Sequence, residues 1–126
     1  MRGGVTRSLR ILFVDDDALV LRALLLSFSQ VEGWQVLGAE GGEAALDALE
    51  RARLDVVVTD MKMGNVGGAE VLAAAKRTNP AAARIVLTGM DVGPAVIDAD
   101  LVVMKPCTAD RLHASILDVL ARLNPL

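Results

Sequence analysis

Five short apolar runs, each ending at a polar or charged residue, constrain this chain more than any other feature. Arg10 to Val14 (RILFV) runs into Asp15-Asp16-Asp17, and Trp34 to Ala39 runs into Glu40. Val56 to Val58 runs into Thr59-Asp60, Arg84 to Leu87 into Thr88-Gly89, and Leu101 to Met104 into Lys105-Pro106. A run this short and continuous, rich in β-branched residues, is what a strand covered on both faces requires.

The segments between the runs read as helices. Asp17 can cap Ala18 to Gln30, which is rich in Leu and free of Gly and Pro until Gly33 breaks it. Gly41-Gly42 turns into Glu43 to Arg53, where Ala45, Leu46, Ala48 and Leu49 recur at helical spacing. A loop from Met61 to Gly68 with three glycines leads to a helix over Ala69 to Thr78, stopped by Asn79-Pro80. Thr108 can cap a last helix carrying Leu112, Ile116, Val119, Leu120 and Leu123.

This alternation predicts the α/β class: a doubly wound, five-stranded parallel sheet of flavodoxin-like strand order 2-1-3-4-5, with helices on both faces. Gly89 to Asp100 is short for two turns and a full helix and contains Gly93-Pro94, so a shortened or irregular fourth helix is expected there. Residues 1–8 read as an N-terminal tail and 9–124 as one domain, without repeat or linker. Apolar residues make up 53% of the chain and aromatic ones 2%, so the core is expected from Val, Leu, Ile and Ala.

A net charge of −3 without a Lys/Arg cluster argues against direct nucleic-acid binding, which needs a basic patch. Cys107 is the single cysteine, so no internal disulfide forms; it reads as a packing residue in a reducing compartment, and the cytoplasm is expected. The start, Met1 to Ser8, does not resemble a signal peptide, and no run is long enough to span a membrane. His113 lies mid-helix with no partner in the sequence and reads as a boundary residue. The leucines of Leu19 to Leu26 cover more than one helix face. They fit either a wide core contact or an apolar face that docks a partner helix.

In open α/β sheets ligands bind beyond the carboxyl ends of the strands. Those ends carry Asp15-Asp16-Asp17, Asp60, Thr88 and Lys105. Carboxylates about 4 Å apart repel by roughly 4 kcal/mol per pair at an effective dielectric near 20, so the cluster calls for a cation. A hard divalent ion with oxygen ligands, Mg²⁺ by preference, relieves the repulsion and also binds phosphoryl oxygens. Phosphoryl chemistry follows: an ionised aspartate as nucleophile, Lys105 as a compact charge, Thr88 as a hydroxyl donor. Asp17 is better explained as a helix cap than as a third ligand.

With these residues in this order, the chain resembles the response-regulator receiver domain family from about Leu9 to Leu123. The matching features are the acidic pair Asp15-Asp16, Asp60 after the third strand, Thr88 after the fourth and Lys105-Pro106 after the fifth. The resemblance implies that Asp60 is the phosphoacceptor of a two-component system, charged by a histidine kinase or phosphotransfer protein. It implies Mg²⁺ held by Asp16, Asp60 and the Lys62 carbonyl, with Asp15 acting through water. Thr88 and Lys105 would read the phosphoryl group, and Lys105-Pro106 is a candidate cis peptide. A fused output domain or separate effector, and pairing of two copies, are further implications, as are self-phosphorylation and self-dephosphorylation with no other enzyme activity.

The chain departs from the family pattern in three places. Met63 is followed by Gly64 where Met-Pro is common, which predicts a looser loop. Val102 stands where a partly buried aromatic usually lies, and the fourth crossover is short. These motivate one alternative, a phosphorylation-independent pseudo-receiver that only binds partners. Asp15-Asp16-Asp17 also fits the nucleophile motif of haloacid-dehalogenase-type phosphatases, a further alternative.

Overall fold

Parallel strands cannot be joined by tight turns, so each must be followed by a crossover, and helices supply most of them here. The computed structural model describes residues 8–90 and 98–124. Within them run β1 (Leu9–Asp15), α1 (Ala18–Phe28), β2 (Trp34–Glu40), α2 (Gly42–Arg51), β3 (Val56–Thr59), α3 (Gly68–Thr78), β4 (Ala83–Thr88), β5 (Leu101–Met104) and α4 (Ala109–Leu123). All strand pairs are parallel and the order is β2-β1-β3-β4-β5, as the sequence predicts. The expected irregular helix between β4 and β5 falls largely on residues 91–97, outside the described residues.

Alternate residues of the central strands feed two separate cores. Ile11, Phe13, Val56, Val58, Ile85 and Leu87 face α1 and α4, where Leu21, Phe28, Leu112, Ile116 and Val119 meet them. Leu12, Val14 and Val57 face α2 and α3, against Ala45, Leu49, Val71 and Ala75. Both faces are dry, which explains why the strands read as unbroken apolar runs.

One expectation needs correction, and two open readings are resolved. The core is not purely aliphatic: Phe13 and Phe28 are among its largest fully buried side chains and stack at 5.2 Å. Phe28 continues to Trp34 at 5.6 Å, and the His113 ring meets Trp34 edge-on at 4.7 Å, so His113 has an aromatic partner that only the fold supplies. The leucines of α1 do not all serve the core either. Leu21 is buried, whereas Leu19 and Leu26 are 75% and 68% exposed.

Helix ends follow local chemistry. The Asp17 carboxylate accepts from the Leu19 and Val20 amides, and the Thr108 hydroxyl accepts from the Arg111 amide. The loop after β3, expected to be loose, is anchored: Met63 is buried and the Gly68 amide donates to the Met61 carbonyl at 2.8 Å. Gly68 is required at that point, because a Cβ there would strike the Asp60 carbonyl oxygen and lie 2.7 Å from Met61 Cα.

Gly68→Ala is therefore expected to cost about 1–3 kcal/mol, since the obstructing atoms are backbone. Gly64→Ala, where a Cβ meets nothing within 4 Å, should stay within about 0.5 kcal/mol of the parent. Urea midpoints at unchanged slope check the pair.

Candidate functional site

Parallel register brings the carboxyl ends of β1, β3, β4 and β5 to one edge of the sheet. Val14 pairs with Thr59, Thr59 with Val86, and Thr88 with Met104. Asp15, Asp60 and Lys105 each lie one residue beyond a member of these pairs, and Thr88 is the last residue of β4.

Asp15, Asp16 and Asp60 each present a carboxylate oxygen, all within 4.8 Å of one another. Asp15 is 2% exposed, Asp60 half-buried and Asp16 exposed, a gradation from dry floor to open rim. Three hard oxygen donors at this spacing fit a small divalent cation such as Mg²⁺. Lys62, two residues after Asp60, is exposed on the same loop.

Lys105 reaches across the sheet to this cluster. Its Nζ lies 3.2 Å from Asp15 Oδ2 and 3.4 Å from Asp60 Oδ2. The Lys105 amide also donates to the Thr88 carbonyl at 2.8 Å, and the Lys105–Pro106 peptide is cis. The remaining carboxylate oxygens are held by backbone: Asp15 Oδ1 accepts from the Asp17 amide at 2.9 Å, and Asp60 Oδ1 from the Met61 amide at 2.7 Å. Thr88 is buried, and its hydroxyl accepts from the Met90 amide at 3.3 Å. No hydrogen bond links that hydroxyl to Asp60 among the described residues.

Two contributors escaped the sequence reading. The Met61 amide is a backbone group, invisible to residue type. Thr59 is fully buried and its hydroxyl donates to the Asp60 carbonyl at 2.8 Å. A hydroxyl at the end of an otherwise all-valine strand was the available signal. Val102 faces outward on the edge strand β5, so no aromatic fills that position. Beside Lys105 an apolar groove of about 530 Å³ opens between α1 and α4, lined by Val20, Leu24, Leu87, Pro106 and Leu112 among others.

Burial disfavours the Lys105 charge, but hydrogen bonding and attraction from Asp15, reinforced by Asp60, outweigh it and hold the ammonium above its ordinary 10.5. In metal-free protein Lys105→Ala is expected to lower the thermal midpoint at neutral pH. Because the folded value is the higher one, this contribution is complete below the ordinary lysine value and is lost as pH rises through the folded one. Midpoints of both proteins from neutral to strongly alkaline pH check this; a constant gap across that range counts against it.

A family model described as the response regulator receiver domain matches residues 11–117. The transcriptional regulatory protein GlrR of Escherichia coli K12 is 31% identical over 91% of this chain, and response regulator MprA of a Mycobacterium species (strain KMS) is 35% identical over 92%. The chain spans only 27% of the first relative and 52% of the second. Among solved structures, a CheY-like receiver domain protein from Methanospirillum hungatei superposes with a TM-score of 0.84 at 27% identity, covering 92% of this chain and 96% of that one. TrrA from Thermotoga maritima, solved in complex with Mg²⁺ and BeF, gives 0.78 at 28% identity, covering 88% of this chain and 98% of that one. Strand order, acidic cluster and family match agree, and the chain belongs to the response regulator receiver domain family of two-component signalling.

Proposed function

We propose that Asp60 is the phosphoacceptor, and that its modification in the presence of Mg²⁺ switches the domain between two signalling states. The observation that carries this is the ammonium of Lys105 shared by Asp15 and Asp60, beside three carboxylates close enough to hold one cation. Asp60 is the member that is neither sealed in the core nor fully solvated. An Asp60 carboxylate oxygen would attack the phosphorus of a phosphohistidine on a histidine kinase or phosphotransfer protein. A P–O bond forms, the P–N bond breaks, and the imidazole leaves with a proton. Hydrolysis of the acyl phosphate returns Asp60 and inorganic phosphate.

Asp16, Asp60 and the Lys62 carbonyl would hold Mg²⁺, with Asp15 acting through water; the ion supplies charge neutralisation for the incoming phosphoryl oxygens. Lys105 would pair with one of those oxygens once Asp60 is phosphorylated. Thr88 would turn its hydroxyl from the Met90 amide to another oxygen, which changes the loop after β4. With Val102 in the aromatic's place, the signal would leave through that loop movement to an effector or a fused output domain. Pairing of two copies remains a further arrangement for the modified state.

The alternatives have less support. A pseudo-receiver has no use for an intact Asp15, Asp60 and Lys105 set. A haloacid-dehalogenase reading needs Asp15 as an accessible nucleophile, yet it is 2% exposed, whereas Asp60 is half-buried.

Acetyl phosphate with Mg²⁺ is expected to add about 80 Da to the wild type. Asp60→Asn, or removal of Mg²⁺ by chelation, is expected to abolish the gain. A wild type left unmodified by both acetyl phosphate and a phosphorylated histidine donor would refute the assignment.

The donor is proposed to dock a helix on α1, where exposed Leu19 and Leu26 lie two turns apart and Leu26 lines a second apolar groove with Leu21, Leu25 and Val36. Leu19→Ser with Leu26→Ser should slow transfer from a phosphotransfer domain that labels the wild type, by roughly tenfold or more. Labelling by acetyl phosphate should be unchanged. Equal loss with both donors, or none with either, would argue against this face.

A further inference from the structure

β3 is Val56-Val57-Val58-Thr59, and the last residue stands out from the three before it. Thr and Val have nearly the same shape, so packing alone would be served by a fourth valine. The hydroxyl has a cost instead: Thr59 is 0% exposed, between β1 and β4, and alternation puts its side chain on the same apolar face as Val57. That cost is offset by one short bond, from Thr59 Oγ1 to the Asp60 carbonyl oxygen at 2.8 Å.

The bond acts on a particular peptide plane. The Asp60 carbonyl is one end of the Asp60–Met61 peptide, and the Met61 N–H is the other end. That N–H donates to Asp60 Oδ1 at 2.7 Å. The absence of a Cβ on Gly68 leaves the space in which the Asp60 carbonyl sits, and the Gly68 amide fixes the next carbonyl, that of Met61. Rotation of the Asp60–Met61 plane would break both bonds at once. With Oδ1 tied to its own backbone, Oδ2 is left facing Lys105.

We propose that Thr59 is a positioning residue for phosphoryl transfer: its hydroxyl locks the Asp60–Met61 peptide, which in turn sets the carboxylate orientation of Asp60 and the aim of the Met61 N–H. It touches neither phosphorus nor metal. Its removal leaves the fold standing but lets the nucleophile sample unproductive orientations. This rests on Asp60 being the acceptor.

The test compares Thr59→Val and Thr59→Ser with the wild type, and adds Thr59→Ala in case the buried valine fails to fold. Ser and Ala both lose the methyl group and differ by the hydroxyl, so that pair isolates the same bond. Acetyl phosphate labelling with Mg²⁺ is followed by mass, and the Met61 amide proton by NMR in metal-free protein. Thr59→Ser should label at near the wild-type rate and keep the Met61 amide downfield, as befits a bond to a carboxylate. Thr59→Val and Thr59→Ala should label roughly tenfold more slowly, the scale expected for a misaligned nucleophile, with the Met61 resonance moved upfield. Labelling of Ala at the rate of Ser, or an unmoved Met61 resonance, would overturn the inference. A wild type left unlabelled by both acetyl phosphate and a phosphorylated histidine donor would instead refute Asp60 as the acceptor, so the two failures are distinguishable.

Discussion

The ammonium of Lys105, held between Asp15 and Asp60, is the interaction on which the functional edge of this domain depends. It joins the ends of three strands across 90 and 45 residues of chain. Three carboxylates at this spacing would otherwise repel one another in a partly dry setting, where each such pair costs several kcal/mol. The cation makes the edge tolerable without a metal and leaves it ready for one. It also explains why β5, a short edge strand with exposed Val102 and Met104, must nevertheless be set in register beside β4.

Around that pair the structure holds polar atoms with backbone rather than with other side chains. The Asp15 carboxylate is fixed by the Asp17 amide, that of Asp60 by the Met61 amide, the Thr88 hydroxyl by the Met90 amide and the Thr59 hydroxyl by the Asp60 carbonyl. Backbone donors at strand ends are available because the ladder stops there, so a buried carboxylate or hydroxyl can satisfy them without opening the core. The same economy appears at the opposite edge. There the buried Asn79 closes α3, accepts from the Leu54 amide at 2.8 Å and donates to the Leu49 carbonyl. The chemistry at one edge and the closure at the other share one device.

Much of this was legible in the chain. Runs such as VVVT and LVVM announce strands because β-branched side chains suit a sheet covered on both faces, and Asp17 and Thr108 announce helix starts through a local bond spanning two or three residues. The acidic cluster, Asp60 and Lys105 were legible as well, since a polar residue directly after a buried strand must lie at the strand's carboxyl end. His113 was not, because Trp34 and Phe28 reach it from other elements. Leu19 and Leu26 were ambiguous for a related reason: hydropathy says that a face is apolar, not whether the fold covers it.

The sequence by itself determined which segments are strand and helix, their order, and which side chains end at the ligand edge. Those properties come from interactions within a few residues and from the period of the apolar pattern. Tertiary structure decided the rest. The pairing of Lys105 with Asp15 and Asp60, the carboxylate oxygen given to the Met61 amide, the crowding that demands Gly68 and the hydroxyl bond of Thr59 depend on distances and angles set when the strands align. Contacts between backbone groups and distant side chains carry no residue-type signature, so they can be read only once the chain has folded.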